Sequence, residues 1–329
     1  VIALAVIFFA PGALSGKTFY AFDTLSSYPP WREGAPEVNN SLITDPVNLF
    51  FLAAQRYQRG VRAGELSRWD RSILSGRSGG SSYLSPFMSF LFAVFPVTVA
   101  HDLLLFSYLL LSGLGMYGYL RLIKVDVLPS LIGASSWMFN GYCMVWFEFE
   151  NVPGMAASFS LMLLSIEYWY RRQSLLGGLG MVGASALALT VACHHLLVFQ
   201  FLFCGFYVLV RWLGEIWTLA RRKPEPHKKK KRKPTAKGDY KLPALRFAGV
   251  VGALLVAILM NLPMVTGALG QVKPTEKSSS GKTAVARMGQ RTGLSFDELL
   301  KNTGQLPKKY LLTMAFPGFF GGPIWGVDY

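Results

Sequence analysis

The chain has 329 residues, of which 52% are hydrophobic and only 16% charged, whereas soluble domains carry roughly 25% charged residues. With a mean hydropathy of +0.34, this balance excludes an ordinary water-soluble enzyme and predicts a polytopic membrane protein. The formal charge is +15, and nine of those charges come from residues 221–241, where eleven Lys and Arg stand against two acidic residues.

A bilayer-spanning helix needs about 20 mainly apolar residues. Windows near 1–14, 98–120, 127–147, 155–170, 174–193, 196–219 and 244–268 meet or approach that need, which predicts an all-α transmembrane bundle of about seven spans. The chain starts on Val1 and stops in "GGPIWGVDY", so it reads as a piece of a longer protein, with residues 1–14 as the remainder of a first span. Residues 1–270 form the expected membrane module, and 271–329 an external segment leading to a truncated C-terminal part.

The first external loop runs from 15 to 97. Asp23 lies in "YAFDTLSSYPPWREG", and two readings stand side by side: an Asx turn or helix cap, or a general base at the lip of an apolar groove. Further on, "DPVNLFFLAAQRYQRGVRAGEL" places Val47, Phe50, Phe51, Ala54, Tyr57 and Val61 at helical spacing, with Arg56, Arg59, Arg62 and Glu65 opposite. That pattern predicts an amphipathic helix on the membrane surface. Arg68, Trp69, Asp70, Arg71 and Arg77 follow among glycines and serines, a composition suited to holding a phosphate or a sugar, although Trp at such a place equally suits an interfacial aromatic belt. The apolar stretch 85–96 is too short to span and is bounded by prolines, so it reads as re-entrant or interfacial.

Later loops add Glu148 and Glu150, which flank Phe149, and His194 and His195, which follow Cys193. With Asp23 they are the five ionisable positions expected at the outer mouth of the bundle, where charge is costly unless it lines a cavity or finds partners. Glu148 and Glu150 also fit a solvated acidic cap, and the histidines a hydrogen-bonded structural pair.

Arg121, Lys124, Arg171, Arg172 and the run 221–241 fall on one side of a seven-span count, which makes that side cytoplasmic. The basic loop, 221–243, is expected to fix topology and attract anionic headgroups rather than nucleic acid. Cys143, Cys193 and Cys204 lie in or beside apolar runs without CxxC spacing, as inert thiols do. "SGKT" occurs at 15–18 and 280–283, but Pro11 and Glu276 occupy the positions where a phosphate loop requires glycine. A short helix is expected at "SFDELLKNTG", with Ser295 as its cap and Glu298 at the capping-box position.

The order of these features resembles the YfhO family of bacterial membrane proteins, within the wider GT-C glycosyltransferases. The resemblance rests on the carboxylate after the first span, the Pro-aromatic turn, "GELSRWDRSILSGRSGGSSYLSPFMSFLFAVFP", "SSWMFNGYCMVWFEFENV", "HHLLVFQ" and "AFPGFFGG". Asp70 and Arg71 depart from it by standing where that family's pattern has Asn and Pro. The resemblance implies a seven-span module that takes a polyprenyl-phosphate-linked sugar as donor and carries its catalytic base in the first external loop, the place of Asp23. On this reading Arg68, Trp69, Arg71 and Arg77 would hold the donor, and Glu148, Glu150, His194 and His195 would line the acceptor side. No cofactor or metal is expected, and the site would face outside the bacterial cytoplasmic membrane. Two other classes stay open: a transporter or flippase of lipid-linked sugars, and a non-catalytic membrane interaction protein.

Overall fold

The structure, a computed structural model, describes residues 1–28, 31–33, 38, 40, 43–64, 69, 70, 77, 78, 86–191, 194–221 and 241–260. These are mostly helical. Ten α-helices are described: α1 (Ile2–Ser15), α2 (Leu52–Ala63), α3 (Pro86–Val94), α4 (Val97–Leu122), α5 (Val127–Met138), α6 (Gly141–Val145), α7 (Asn151–Arg172), α8 (Leu175–Val191), α9 (His194–Ala220) and α10 (Lys241–Met260). A two-residue antiparallel ladder pairs Trp69 with Ser78 and Asp70 with Arg77. The expected helix at 295–304, the second SGKT, "AFPGFFGG" and residues 222–240 lie outside the described residues, as do Arg68 and Arg71.

Among the described residues, three helices are long and apolar enough to cross a bilayer: α4 with 26 residues, Leu196–Ala220 within α9 with 25, and α10 with 20. At 1.5 Å per residue even the shortest matches a hydrocarbon core of about 30 Å. The apolar helices α1 and α8 are shorter. Residues 127–147, expected as one span, form two helices, α5 and α6. Asn140 makes the break by accepting the Cys143 N–H at 2.9 Å and donating to the Trp137 carbonyl at 2.7 Å. An Asn cap of this kind starts a new helix instead of continuing the old one.

Helix α7 is central, packing on α4 along one side and α8 along another, while α5 covers α4 and α10 covers α8. The α4–α7 seam is close because Gly115 has no side chain: a Cβ there would come within 2.6 Å of Ser160 Oγ. One apolar cluster joins Leu104 and Tyr108 of α4, Met155 of α7 and Ala188 of α8 to the loop residues that follow α1. A second, around Ile166, Met181 and Val208, holds the opposite half.

The helix expected over 46–63 forms, entered through a wide helical turn at Pro46–Phe51. Val47, Ala54 and Tyr57 are buried, and Phe51 and Val61 pack against the same cluster, so its apolar face is engaged by α3 and α4. Gln58 on that face reaches the C-terminal end of α3, donating from Nε2 to the carbonyls of Phe92 at 3.1 Å and Phe95 at 2.6 Å. A helix leaves its last carbonyls without partners, and here a neighbouring side chain supplies them.

Candidate functional site

Asp23 is the second residue of a short 3-10 helix, Phe22–Ser27, whose N-cap is Ala21 and which no side chain caps. Its neighbours fix it. Tyr20 and Thr24 are buried, while Phe22 and Leu25 pack on the core, so apolar anchoring on both sides leaves Asp23 half-buried. The loop is tied to α4 by Asp102, whose Oδ1 accepts from Thr18 Oγ1 at 2.9 Å and from the Phe19 N–H at 3.0 Å. Beside it the Tyr20 ring stacks on the buried His101 ring, with centroids 3.9 Å apart.

Glu148 and Glu150 reach the same place from the other direction. Phe149 between them meets the rings of Trp146 and Phe50, at 5.1 and 6.0 Å, and this contact pins the α6–α7 connection against the segment leading to α2. Burial, helped by the charge of the nearby Asp23, pushes the Glu148 carboxyl up to about 7. Glu150, only 7% exposed, is pushed by burial up to about 8. It occupies the N-cap of α7, where the helix dipole favours a carboxylate by about 1 kcal/mol, but loss of hydration outweighs that preference. Glu150 is therefore mostly a neutral acid at pH 7. Burial chiefly, with the charges of Glu150 and Asp102 adding to it, holds the Tyr20 hydroxyl well above the ordinary tyrosine range.

The atoms Glu148 Oε2, Glu150 Oε2, Asn151 Oδ1 and the hydroxyls of Tyr20 and Tyr108 are buried without a hydrogen-bond partner among the described residues. Buried polar groups are nearly always partnered, and an unpartnered group costs about 1–3 kcal/mol. Several such atoms in one region are the mark of a site built to meet something other than its own fold. Two residues beyond Glu150, Val152 begins the wall of a groove of about 320 Å³, lined also by Trp137, Tyr142, Met155, Phe159 and Phe203. Its polar lining includes Asn140 and the nearly buried Gln200, whose Oε1 accepts from Ser158 at 2.9 Å. Asp23, Glu148 and Glu150 do not line it.

Of the expected site residues, the structure brings Asp23 near Glu148, while Glu150 lies near the Tyr20 and Tyr108 side chains. His194 and His195 begin α9, and Trp69 and Arg77 lie on the two strands of the ladder, offset by one pairing position. Tyr20, His101, Asp102 and Tyr108 belong to the same cluster and carry no sequence signal beyond an aromatic or polar residue in an apolar setting. No group of three or more metal-ligating side chains occurs among the described residues. Compared with family models, with curated proteins and with solved structures, the chain matches none.

Proposed function

We propose that the protein is a GT-C-type membrane glycosyltransferase of the YfhO kind, with seven spans in the bacterial cytoplasmic membrane and its site facing outside. It moves a sugar from a polyprenyl-phosphate donor to an extracytoplasmic acceptor. The observation that supports this reading is the closeness of Asp23 to Glu148, with the buried Glu150 two residues on and an apolar groove that begins at Val152. Such a groove suits a polyprenyl chain, which has nothing to hydrogen-bond.

In the reaction Asp23 takes the proton of the acceptor hydroxyl, and that oxygen attacks the anomeric carbon of the sugar. The bond from that carbon to the phosphate oxygen breaks, and its electron pair leaves with the polyprenyl phosphate. Arg68, Arg71 and Arg77 stabilise the departing charge. Glu150, neutral at pH 7, offers its O–H to a sugar hydroxyl, and Glu148 holds the proton that its closeness to Asp23 favours. Lipid donor and base explain why the carboxylates sit at the bundle's end and not at its centre.

The test is turnover of a panel of undecaprenyl-phosphate-linked hexoses by the full chain in liposomes, read as released undecaprenyl phosphate. Asp23→Asn keeps the shape of the side chain but removes the proton acceptor, and turnover should fall by ~100- to 10,000-fold with donor binding unchanged. Full turnover by Asp23→Asn would move the base to Glu148 or Glu150.

A further inference from the structure

The opposite end of the bundle carries a second cavity, of about 360 Å³, where α7, α8, α9 and α10 meet. Ile166, Met181, Cys204 and Val208 form its floor, and it opens sideways past Leu209 and Val251, both exposed. Among the described residues Ser185 is the one hydroxyl in the lining, and its Oγ lies 3.9 Å from Met162 Sδ. The cavity thus suits a hydrocarbon chain and little else.

One helical turn beyond it the chemistry changes. Glu167, beside Ile166, is fully buried and accepts from Arg171 Nε at 2.6 Å, Arg211 Nη2 at 3.2 Å and Tyr207 Oη at 2.8 Å. Arg246, beside Phe247 of the cavity wall, pairs with Glu215. Three guanidinium groups therefore face two carboxylates, leaving one positive charge uncompensated within the cluster. Hydrogen-bonding capacity is also left over: the donors Arg211 Nε, Arg246 Nε and the Tyr170 hydroxyl, and one acceptor, Glu215 Oε2, are buried without a partner among the described residues, and Tyr170 is only 1% exposed, its ring beneath the Arg211 guanidinium. Arg171 and Arg211 keep about a third of their side-chain surface open.

An apolar slot that opens at exposed residues, capped one turn away by a cluster with net positive charge, has the two-part chemistry of a single ligand: an acyl chain joined to an anionic phosphate. We propose that the α7–α10 junction binds one anionic phospholipid of the leaflet bordering the 221–241 end, its acyl chain in the cavity and its phosphate on Arg211 and Arg246. Charge-assisted hydrogen bonds from two guanidinium groups to one phosphate distinguish this site from the diffuse attraction of the basic run. The bound lipid supplies the missing negative charge and fastens α10, which otherwise meets the bundle mainly through α8. This assignment is independent of the transferase reading and of the site at the other end.

Native mass spectrometry of the full chain, taken from vesicles of phosphatidylcholine with and without phosphatidylglycerol, tests it. Wild-type protein should retain phosphatidylglycerol about tenfold more than phosphatidylcholine, the ratio expected for one charge-assisted contact. Arg211→Gln with Arg246→Gln should bring that ratio close to one; Arg171 and Tyr207 still hold Glu167 in this variant. Gly205→Leu should remove the adduct altogether, since Gly205 lines the cavity and a Cβ there meets nothing within 4 Å; a thermal melt matching wild type checks that this variant is folded. Replacing the basic residues 228–233 by Ser and Gln should leave the adduct in place. Equal retention of both lipids by wild type, selectivity that survives the Arg pair substitution, loss of the adduct with the 228–233 run, or displacement of phosphatidylglycerol by inorganic phosphate would each overturn the proposal.

Discussion

Replacing Glu150 by glutamine isolates the most strongly perturbed carboxyl of the α6–α7 connection. The group stands at about 8 in the fold against an ordinary 4.5, so between those values the folded chain holds a proton that the unfolded chain has lost. Its contribution is present in full below pH ~4.5 and is lost as pH rises through the folded value. At about 1.4 kcal/mol per tenfold, the loss reaches ~3 kcal/mol by pH 7 and ~5 kcal/mol above pH 8. Glu148, raised to about 7 by burial and by Asp23, acts in the same direction. A glutamine side chain has the shape of the neutral acid and no proton to lose, so Glu150→Gln should flatten the profile. The assay is the unfolding free energy of the purified chain in detergent from about pH 5 to about pH 9. Wild type should weaken up to about pH 8 and then level off, and the variant should exceed it by a margin that widens over the same window. A wild-type profile already flat, or a variant that keeps the full slope, would show that Glu150 is ionised in the fold and would remove its role as a hydrogen-bond donor.

Two packing contacts give further tests by chemical denaturation in detergent. Gln58→Ala leaves the Phe92 and Phe95 carbonyls without their donor and should cost about 1–3 kcal/mol, whereas Gln58→Glu, which cannot donate when ionised, should cost at least as much. Asp102→Ala frees Thr18 Oγ1 and the Phe19 N–H together; a loss of about 1–3 kcal/mol is expected, along with faster backbone hydrogen exchange at residues 18–24, and unchanged exchange there would show that the loop is held by its aromatic contacts alone.

Hydropathy made α4, α9 and α10 legible, because each carries its signal in one uninterrupted run. It missed the break at Asn140, since averaging over a window hides a single polar residue whose effect is local capping. The helical face from Val47 to Val61 was legible from its spacing, but what covers it was not: Gln58 looks like a surface residue until Phe92 and Phe95 are brought beside it by the turn between α3 and α4. At the end of the bundle that follows α1 the charges of Asp23, Glu148 and Glu150 drew attention by type. Their environment did not, because "EFENV" reads as a solvated cap unless Phe149 is known to be clamped by Trp146 and Phe50. Tyr20, His101 and Tyr108 were silent for a related reason: they come from distant points of the chain and pass individually for core aromatics.

The two ends of the bundle treat a buried carboxylate in different ways. Glu167 is as deeply buried as any described residue, yet two guanidinium groups and the Tyr207 hydroxyl meet its oxygens. Removing one partner from such a group is expensive, so the arrangement fastens α7 to α9. Glu150 is also buried but lacks that support, and one of its oxygens meets no partner among the described residues. The fold therefore lets it take up a proton, and its value of about 8 places the change near neutral pH. A carboxyl of that kind contributes little to holding helices together above its unfolded range. With Glu148, which lies near Asp23 and is itself raised to about 7, it is one of two acids at this end whose protonation changes near neutral pH.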